Sequence, residues 1–213
     1  MVGQQWGAIL ARLHGIKLDG FGFFDTAVLA SSKRIQGLDV SARNYFYKCL
    51  ETHLGYLRDV AFLGDQQVRR IKVLINRHDR LLDLKRGLML HRDMAFWNLV
   101  GSPTNVRAVV DWDDVVSGDP ADDLSIVRRF YNDDVWLPLL ESYRNIRLLP
   151  DDFDARLSLY LTRNMLWKSM IRHTMGYFEM SGDFFILNRE TAGDLEAATR
   201  KRLTMDIEGL ARL

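Results

Sequence analysis

One cysteine stands in 213 residues. Cys49 alone excludes an internal disulfide and a cysteine-based zinc site. Its neighbours Phe46, Leu50 and His53 predict a buried helical position for it, and buried cysteines are usually inert. No apolar run reaches the length of a membrane span, and the N-terminus lacks a charged region followed by an apolar one. Charge of one sign is also lacking. The chain has 29 Lys and Arg against 28 Asp and Glu, a net charge of +1. That balance gives no bulk attraction to nucleic acid or to an anionic membrane. No internal repeat, linker or low-complexity segment is visible. A soluble, cytoplasmic protein is the default expectation. What is present is apolar bulk: 47% of residues are hydrophobic and 11% aromatic, enough to bury a sizeable core.

Hydrophobic periodicity then orders the chain. Val2, Trp6, Ile9, Leu10 and Leu13 fall at helical spacing, and Gly15 with Gly20-Phe21-Gly22 predicts a loop after them. Ser41 is a suitable N-cap for a long helix carrying Tyr45, Phe46, Cys49, Leu50, Leu54 and Leu57. A further helix bears Val68, Ile71, Leu74, Ile75, His78 and Leu82, with Gly87 closing it. Leu88-Met89-Leu90 reads as a short strand. Asn98 to Val100 and Val106 to Val110 read as two more, joined by the turn-forming Gly101-Ser102-Pro103-Thr104-Asn105. Asp119 is an N-cap with Pro120 at the first helical position and Asp122 and Asp123 in the first turn. Later helices carry Trp136, Leu139, Leu140 and Tyr143; then Leu157, Leu161, Met165, Lys168 and Ile171; then Leu195, Ala198, Ile207 and Leu210. The expected class is α+β and mostly α, one domain over residues 1–213, with a small β element in its middle.

One stretch concentrates the chemistry. His91-Arg92-Asp93-Met94-Ala95-Phe96-Trp97-Asn98 precedes the hairpin, and Val109-Val110-Asp111-Trp112 follows it. An Asp, an Asn five residues later and a second Asp at the end of an apolar strand can converge on one point. Asn98 and Asp111 offer one neutral and one anionic oxygen, suited to Mg²⁺ that also binds phosphate oxygens. Asp93 can accept a proton from a hydroxyl or orient it. His91 is expected to brace the loop by hydrogen bonding. Taken singly, each of these residues is also an ordinary turn or cap residue.

The motifs Leu90-His91-Arg92-Asp93 through Asn98-Leu99-Val100, Val109-Val110-Asp111-Trp112-Asp113, Gly118-Asp119-Pro120 and Asp123-Leu124 resemble the aminoglycoside phosphotransferase and choline kinase superfamily, a branch of the protein-kinase-like fold. Leu10-Ala11-Arg12-Leu13-His14 followed by Gly20-Phe21-Gly22 resembles the helix and turn that enter its large lobe. The resemblance is strongest over residues 88–125. It implies that Asp93 is the catalytic aspartate, that Asn98 and Asp111 bind magnesium and through it the nucleotide, and that His91 braces the loop. Asp119 and Asp123 match positions that support the loop. The implied activity moves the γ-phosphate of ATP (or GTP) to a hydroxyl of a small-molecule acceptor, an aminoglycoside or other amino-bearing compound.

Two departures stand beside the resemblance. Arg92 occupies a position that is usually Gly in the family. No Gly-rich cover and strand lysine precede His91, since Gly20-Phe21-Gly22 lacks the third glycine of the phosphate fingerprint. The expectation is therefore a C-terminal lobe with its N-terminal lobe absent, leaving a face open to self-association. The alternative is a truncated, non-catalytic remnant or binding module. A third reading is a metal-dependent phosphohydrolase using His91, Asp93 and Asp111. Asp113 and Asp114 read as a solvated loop or as contacts for a cationic substrate. Glu179 and Asp183 read as acceptor-binding residues or as a polar surface loop. Trp97 and Trp112 read as packing beside the metal site, with stacking on an acceptor open to Trp97. His14, His53, His78 and His173 show no metal-ligand spacing.

Overall fold

The computed structural model describes residues 2–102, 104–180 and 194–213. In chain order these form α1 (Val2–Leu13), β1 (Lys17–Leu18), β2 (Phe21–Phe24), α2 (Thr26–Ser32), β3 (Gly37–Asp39), α3 (Ala42–Asp59) and α4 (Asp65–Arg77). Then follow β4 (Gly87–Leu90), β5 (Leu99–Ser102), β6 (Asn105–Val109), β7 (Val116–Gly118), α5 (Pro120–Phe130), α6 (Asp133–Arg144), α7 (Phe153–Thr174) and α8 (Leu195–Ala211). The architecture is mostly helical α+β.

The helices lie where apolar spacing puts them. On α1, Trp6, Leu10 and Leu13 are buried and pack in the main core with Leu139 and Tyr143 of α6. Gly7 lets the two helices approach: a Cβ there would stand 2.1 Å from the Leu139 carbonyl oxygen. Ser41 caps α3 by accepting the Asn44 N–H at 3.1 Å. Asp119 caps α5 by accepting the Ala121 N–H at 2.9 Å, with Pro120 at the first helical position. The central helix is α7. It buries polar Thr162, Arg163, Asn164 and Ser169 along with its apolar residues, which is why its amphipathic pattern is weak.

Three local expectations change. Gly20-Phe21-Gly22 is not a plain loop: Phe21–Phe24 is a strand, and Gly20 and Gly22 take φ of +68° and +77° at its start. Gly87 does not close α4, which ends at Arg77; it opens β4. Cys49 is half-buried rather than buried. The β structure is also larger than a central element. Among the described residues a five-stranded antiparallel sheet runs β1-β4-β7-β2-β3, and β5 and β6 form a separate hairpin. Strands of two to four residues rich in glycine carry no alternation for periodicity to detect.

The hairpin is docked from the far end of the chain. Gln5 of α1 donates its side-chain amide N–H to the Thr104 carbonyl at 2.6 Å and accepts the Val106 N–H at 2.8 Å.

His53 on α3 gives the fold an acid dependence. Its Nδ1 has no hydrogen-bond partner among the described residues. Burial first, then Arg163 and Arg92, push its pKa down to about 3 from 6.5. The folded protein therefore refuses a proton that the unfolded chain accepts below pH 6.5. Stability falls as pH drops through that window, by about 1.4 kcal/mol per pH unit for this one group. His53→Leu is expected to flatten the slope, so that urea midpoints measured at about pH 4 and about pH 7 lie closer together than in the unaltered chain. An unchanged gap between the midpoints would show that His53 is not the group responsible.

Candidate active site

Leu90, the last residue of β4, is fully buried, and the 91–98 loop leaves from it. A buried carboxylate fixes the start of that loop. Asp123, in the first turn of α5, accepts the backbone N–H of His91 at 2.8 Å and of Arg92 at 2.6 Å. His14, just past the end of α1, adds its Nε2 at 3.1 Å, and the Tyr143 hydroxyl meets His14 Nδ1 at 3.0 Å. Burial raises the Asp123 carboxyl pKa. The His14 imidazole and the two N–H groups outweigh it and hold the pKa below the ordinary range. Asp122 and Asp123 thus do more than complement a helix dipole.

Arg92 sits at φ +70°, a backbone region costly for a residue with a Cβ. Its guanidinium donates to Asp122 at 2.6 Å and lies 5.5 Å from the Trp167 ring. Asn164 of α7 donates to the other Asp122 oxygen at 2.7 Å. The arginine standing where the family usually has glycine is therefore a buried tie between loop, α5 and α7.

His91 is fully buried. Its Nδ1 faces the Asp93 N–H at 3.3 Å, and its Nε2 lies 3.0 Å from the Val110 carbonyl. The Nε2–H tautomer satisfies both contacts. This imidazole links the Asp93 loop to the strand end that delivers Asp111.

Asp93 is oriented by its neighbours. The Asn98 amide Nδ2 donates to Asp93 Oδ2 at 2.9 Å and to the Asp93 carbonyl at 2.7 Å. Trp97 Nε1 reaches the same carboxylate oxygen at 3.4 Å. With Nδ2 committed, Asn98 has its Oδ1 left over as a neutral oxygen donor. Asp111 is exposed at φ +63°, a conformation Asp tolerates better than most residues. Two oxygen donors of this kind suit a hard divalent cation. Asp93 and Asp111 both line one cavity of about 730 Å³.

The other walls of that cavity come from positions to which the sequence reading gave no role. Phe130 and Tyr131 close it from the end of α5, and Trp167, Lys168, Ile171, Arg172 and Tyr177 from α7 and just beyond. The only available signal was Lys168 interrupting an apolar helical face. Trp97 lines the cavity as well, edge-on to Phe130 at 5.4 Å. Trp112 instead packs on His91 at 4.6 Å. Asp113, Asp114 and Glu179 are exposed and do not line the cavity, and Asp183 lies outside the described residues. Among the described residues no three His, Cys, Asp or Glu side chains gather as a metal cluster.

The mostly helical α+β frame matches that of solved kinase-like phosphotransferase structures. The model of the phosphotransferase enzyme family matches residues 1–157, and the chain belongs to that family, within the superfamily its motifs resemble. No curated protein matches. Several solved structures share the fold. A candidate fructosamine-3-kinase from Thermobifida fusca superposes with a TM-score of 0.66 at 16% identity, over 99% of this chain and 65% of that one. A thermostable mutant of the aminoglycoside phosphotransferase APH(4)-Ia gives 0.67 at 16%, over 99% and 66%. The same enzyme in a ternary complex with AMP-PNP and hygromycin B gives 0.60 at 16%, over 99% and 68%. The chain thus spans about two thirds of the length of the structures it matches. No helix among the described residues is long and apolar enough to cross a membrane.

Proposed function

We propose that this chain carries the large C-terminal lobe of a small-molecule kinase, and that its site moves the γ-phosphoryl group of ATP or GTP to an acceptor hydroxyl. The observation that carries the proposal is one cavity lined by both Asp93 and Asp111, with Asn98 bonded to Asp93. In this reading residues 1–213 act as one domain. Asp93 orients the hydroxyl and accepts its proton as the oxygen bonds to phosphorus and the nucleoside diphosphate leaves. Asn98 and Trp97 hold the Asp93 carboxylate in place, and His91 keeps the two halves of the site in register. Asn98 Oδ1 and Asp111 would hold Mg²⁺, which when bound neutralises phosphate charge. Catalysis then rests on positioning and electrostatics, with no covalent enzyme intermediate. A lone cysteine and a Mg-nucleotide donor support a cytoplasmic setting.

The test is nucleotide-dependent stability. Mg-ATP at about 100 times its Kd adds about 2.7 kcal/mol, or roughly 5–10 °C in Tm for a chain of this size. Asp111→Ala is expected to abolish most of that rise. No rise in the unaltered chain would sink the proposal.

A second reading, a binding module that transfers nothing, is favoured by Phe23, Leu38 and Val40, apolar side chains exposed on or beside β2 and β3. Such a module would meet a partner or a second copy along that edge. A strictly monomeric chain in sedimentation across its soluble range would remove the self-association this reading expects.

A further inference from the structure

The cavity beside Asp93 has a charge pattern of its own. Among the described residues its lining contains two carboxylates and two cations. Under the phosphotransfer reading the carboxylates are engaged, Asp111 by the metal and Asp93 by the reacting hydroxyl. What remains for the rest of an acceptor is Lys168, Arg172 and an aromatic wall.

The two cations stand one turn apart on α7. Lys168 Nζ lies 4.6 Å from the Phe130 ring centroid and 4.9 Å from that of Trp167. Among the described residues it forms no ion pair, and the carboxylate whose charge reaches it is Asp93. Arg172 donates to the Thr199 hydroxyl at 2.7 Å, a neutral partner. Arg92 and Arg129, whose charges also reach Lys168, already pair with Asp122 and Asp206. Positive charge is therefore in excess here. Burial first, then Arg172, Arg92 and Arg129, pull the Lys168 pKa down to about 8 against the opposing pull of Asp93. Burial, Arg129 and Arg202 likewise bring Arg172 down to about 10. Both side chains are still mainly charged at neutral pH, and both are short of compensating charge.

An amino-bearing acceptor fits this wall poorly. Its ammonium groups would approach Lys168 and Arg172, and among the described residues the lining holds no spare carboxylate to receive them. An anion would supply what the site lacks, in a place where flat aromatic faces reward an apolar or aromatic body.

We propose that the ligand of this cavity, the hydroxyl acceptor under the reading above, is an aromatic or apolar small molecule bearing a carboxylate that seats on Lys168 and Arg172. The proposal rests on the phosphotransfer reading for the acceptor role only. The walls that set this preference lie at positions 167–177, beyond the 1–157 span that the family model matches.

Three phenols of one shape but different charge test it: 4-hydroxyphenylacetate, tyrosol and tyramine. Their binding to the full chain without nucleotide is followed by tryptophan fluorescence, since Trp97 and Trp167 line the cavity. The carboxylate is expected to bind at least about tenfold more tightly than the amine, the equivalent of one charge-assisted hydrogen bond. Lys168→Met and Arg172→Met should each narrow that gap to about threefold or less, with Tm and near-UV circular dichroism verifying the fold. Tyramine binding as tightly as the carboxylate overturns the proposal. So does a carboxylate preference that survives both substitutions, or the absence of any binding at millimolar concentrations. If Lys168→Met instead removes the Mg-ATP stabilisation and no carboxylate preference exists, the cations serve the donor phosphates and the proposal falls. A carboxylate preference in a chain that Mg-ATP does not stabilise upholds this ligand class while sinking the transfer reaction.

Discussion

Asp93→Asn is expected to slow phosphoryl transfer by about 10²–10⁴-fold, the range of general acid–base catalysis, while leaving the Mg-ATP stabilisation in place. The substitution keeps volume and shape. Its amide can still meet Asn98, whose Nδ2 lies 2.9 Å from Asp93 Oδ2, although Trp97 at 3.4 Å then shares a weaker acceptor. On the proposed reading, what is lost is the negative charge beside the acceptor hydroxyl and the group that receives its proton. A KM for nucleotide that holds while kcat falls would identify a role confined to the transition state. A rate within about threefold of the unaltered chain would remove Asp93 from the chemistry.

Asp123→Asn should be the most damaging single change to the fold around the site, costing about 3–5 kcal/mol. The carboxylate serves three donors at once, the N–H groups of His91 and Arg92 and the His14 imidazole. An amide has one acceptor oxygen, and its NH₂ faces donors with nothing to offer them. A buried donor without a partner costs about 1–3 kcal/mol. The pH sense follows from the depressed carboxyl pKa. The contribution of Asp123 is complete above its unfolded value of 3.8 and is lost as pH falls through the folded one. Urea unfolding at neutral pH checks the magnitude, and the acid limb should be shallower in Asp123→Asn. A loss below about 1 kcal/mol would show that the loop start is held by other contacts.

The polar loop of the candidate site was legible from sequence, and the cavity walls around it were not. His91, Asp93 and Asn98 fall within eight consecutive residues, and Asp111 follows a hairpin whose turn residues announce it. Local spacing therefore carries their geometry. Lys168, Arg172 and Trp167 reach the same cavity from a distant helix, and no spacing rule links them to Asp93. The helices with a buried face were legible because burial on one side imprints a period; α7, surrounded on most sides, was the weakest, and α2, which buries no residue, was missed. The short strands β1, β2, β3 and β7 were missed for want of alternation. Asp122 and Asp123 illustrate a different limit. Two acids in a first helical turn are sufficiently explained by the helix dipole, so their function as anchors for Arg92 and the loop could only come from coordinates. Backbone strain is equally silent in a sequence: nothing marked Arg92 and Asp111 for positive φ.

The clamp from Gln5 onto Thr104 and Val106 has a consequence for solubility. A primary amide has the same donor and acceptor as a peptide group, so the side chain ends the ladder on that side of β6 as a stub of one residue. A strand margin blocked in this way is a poorer template for the strand of another molecule. Gln5→Ala would uncap it, and the first sign would be slow assembly on storage rather than a lower melting temperature.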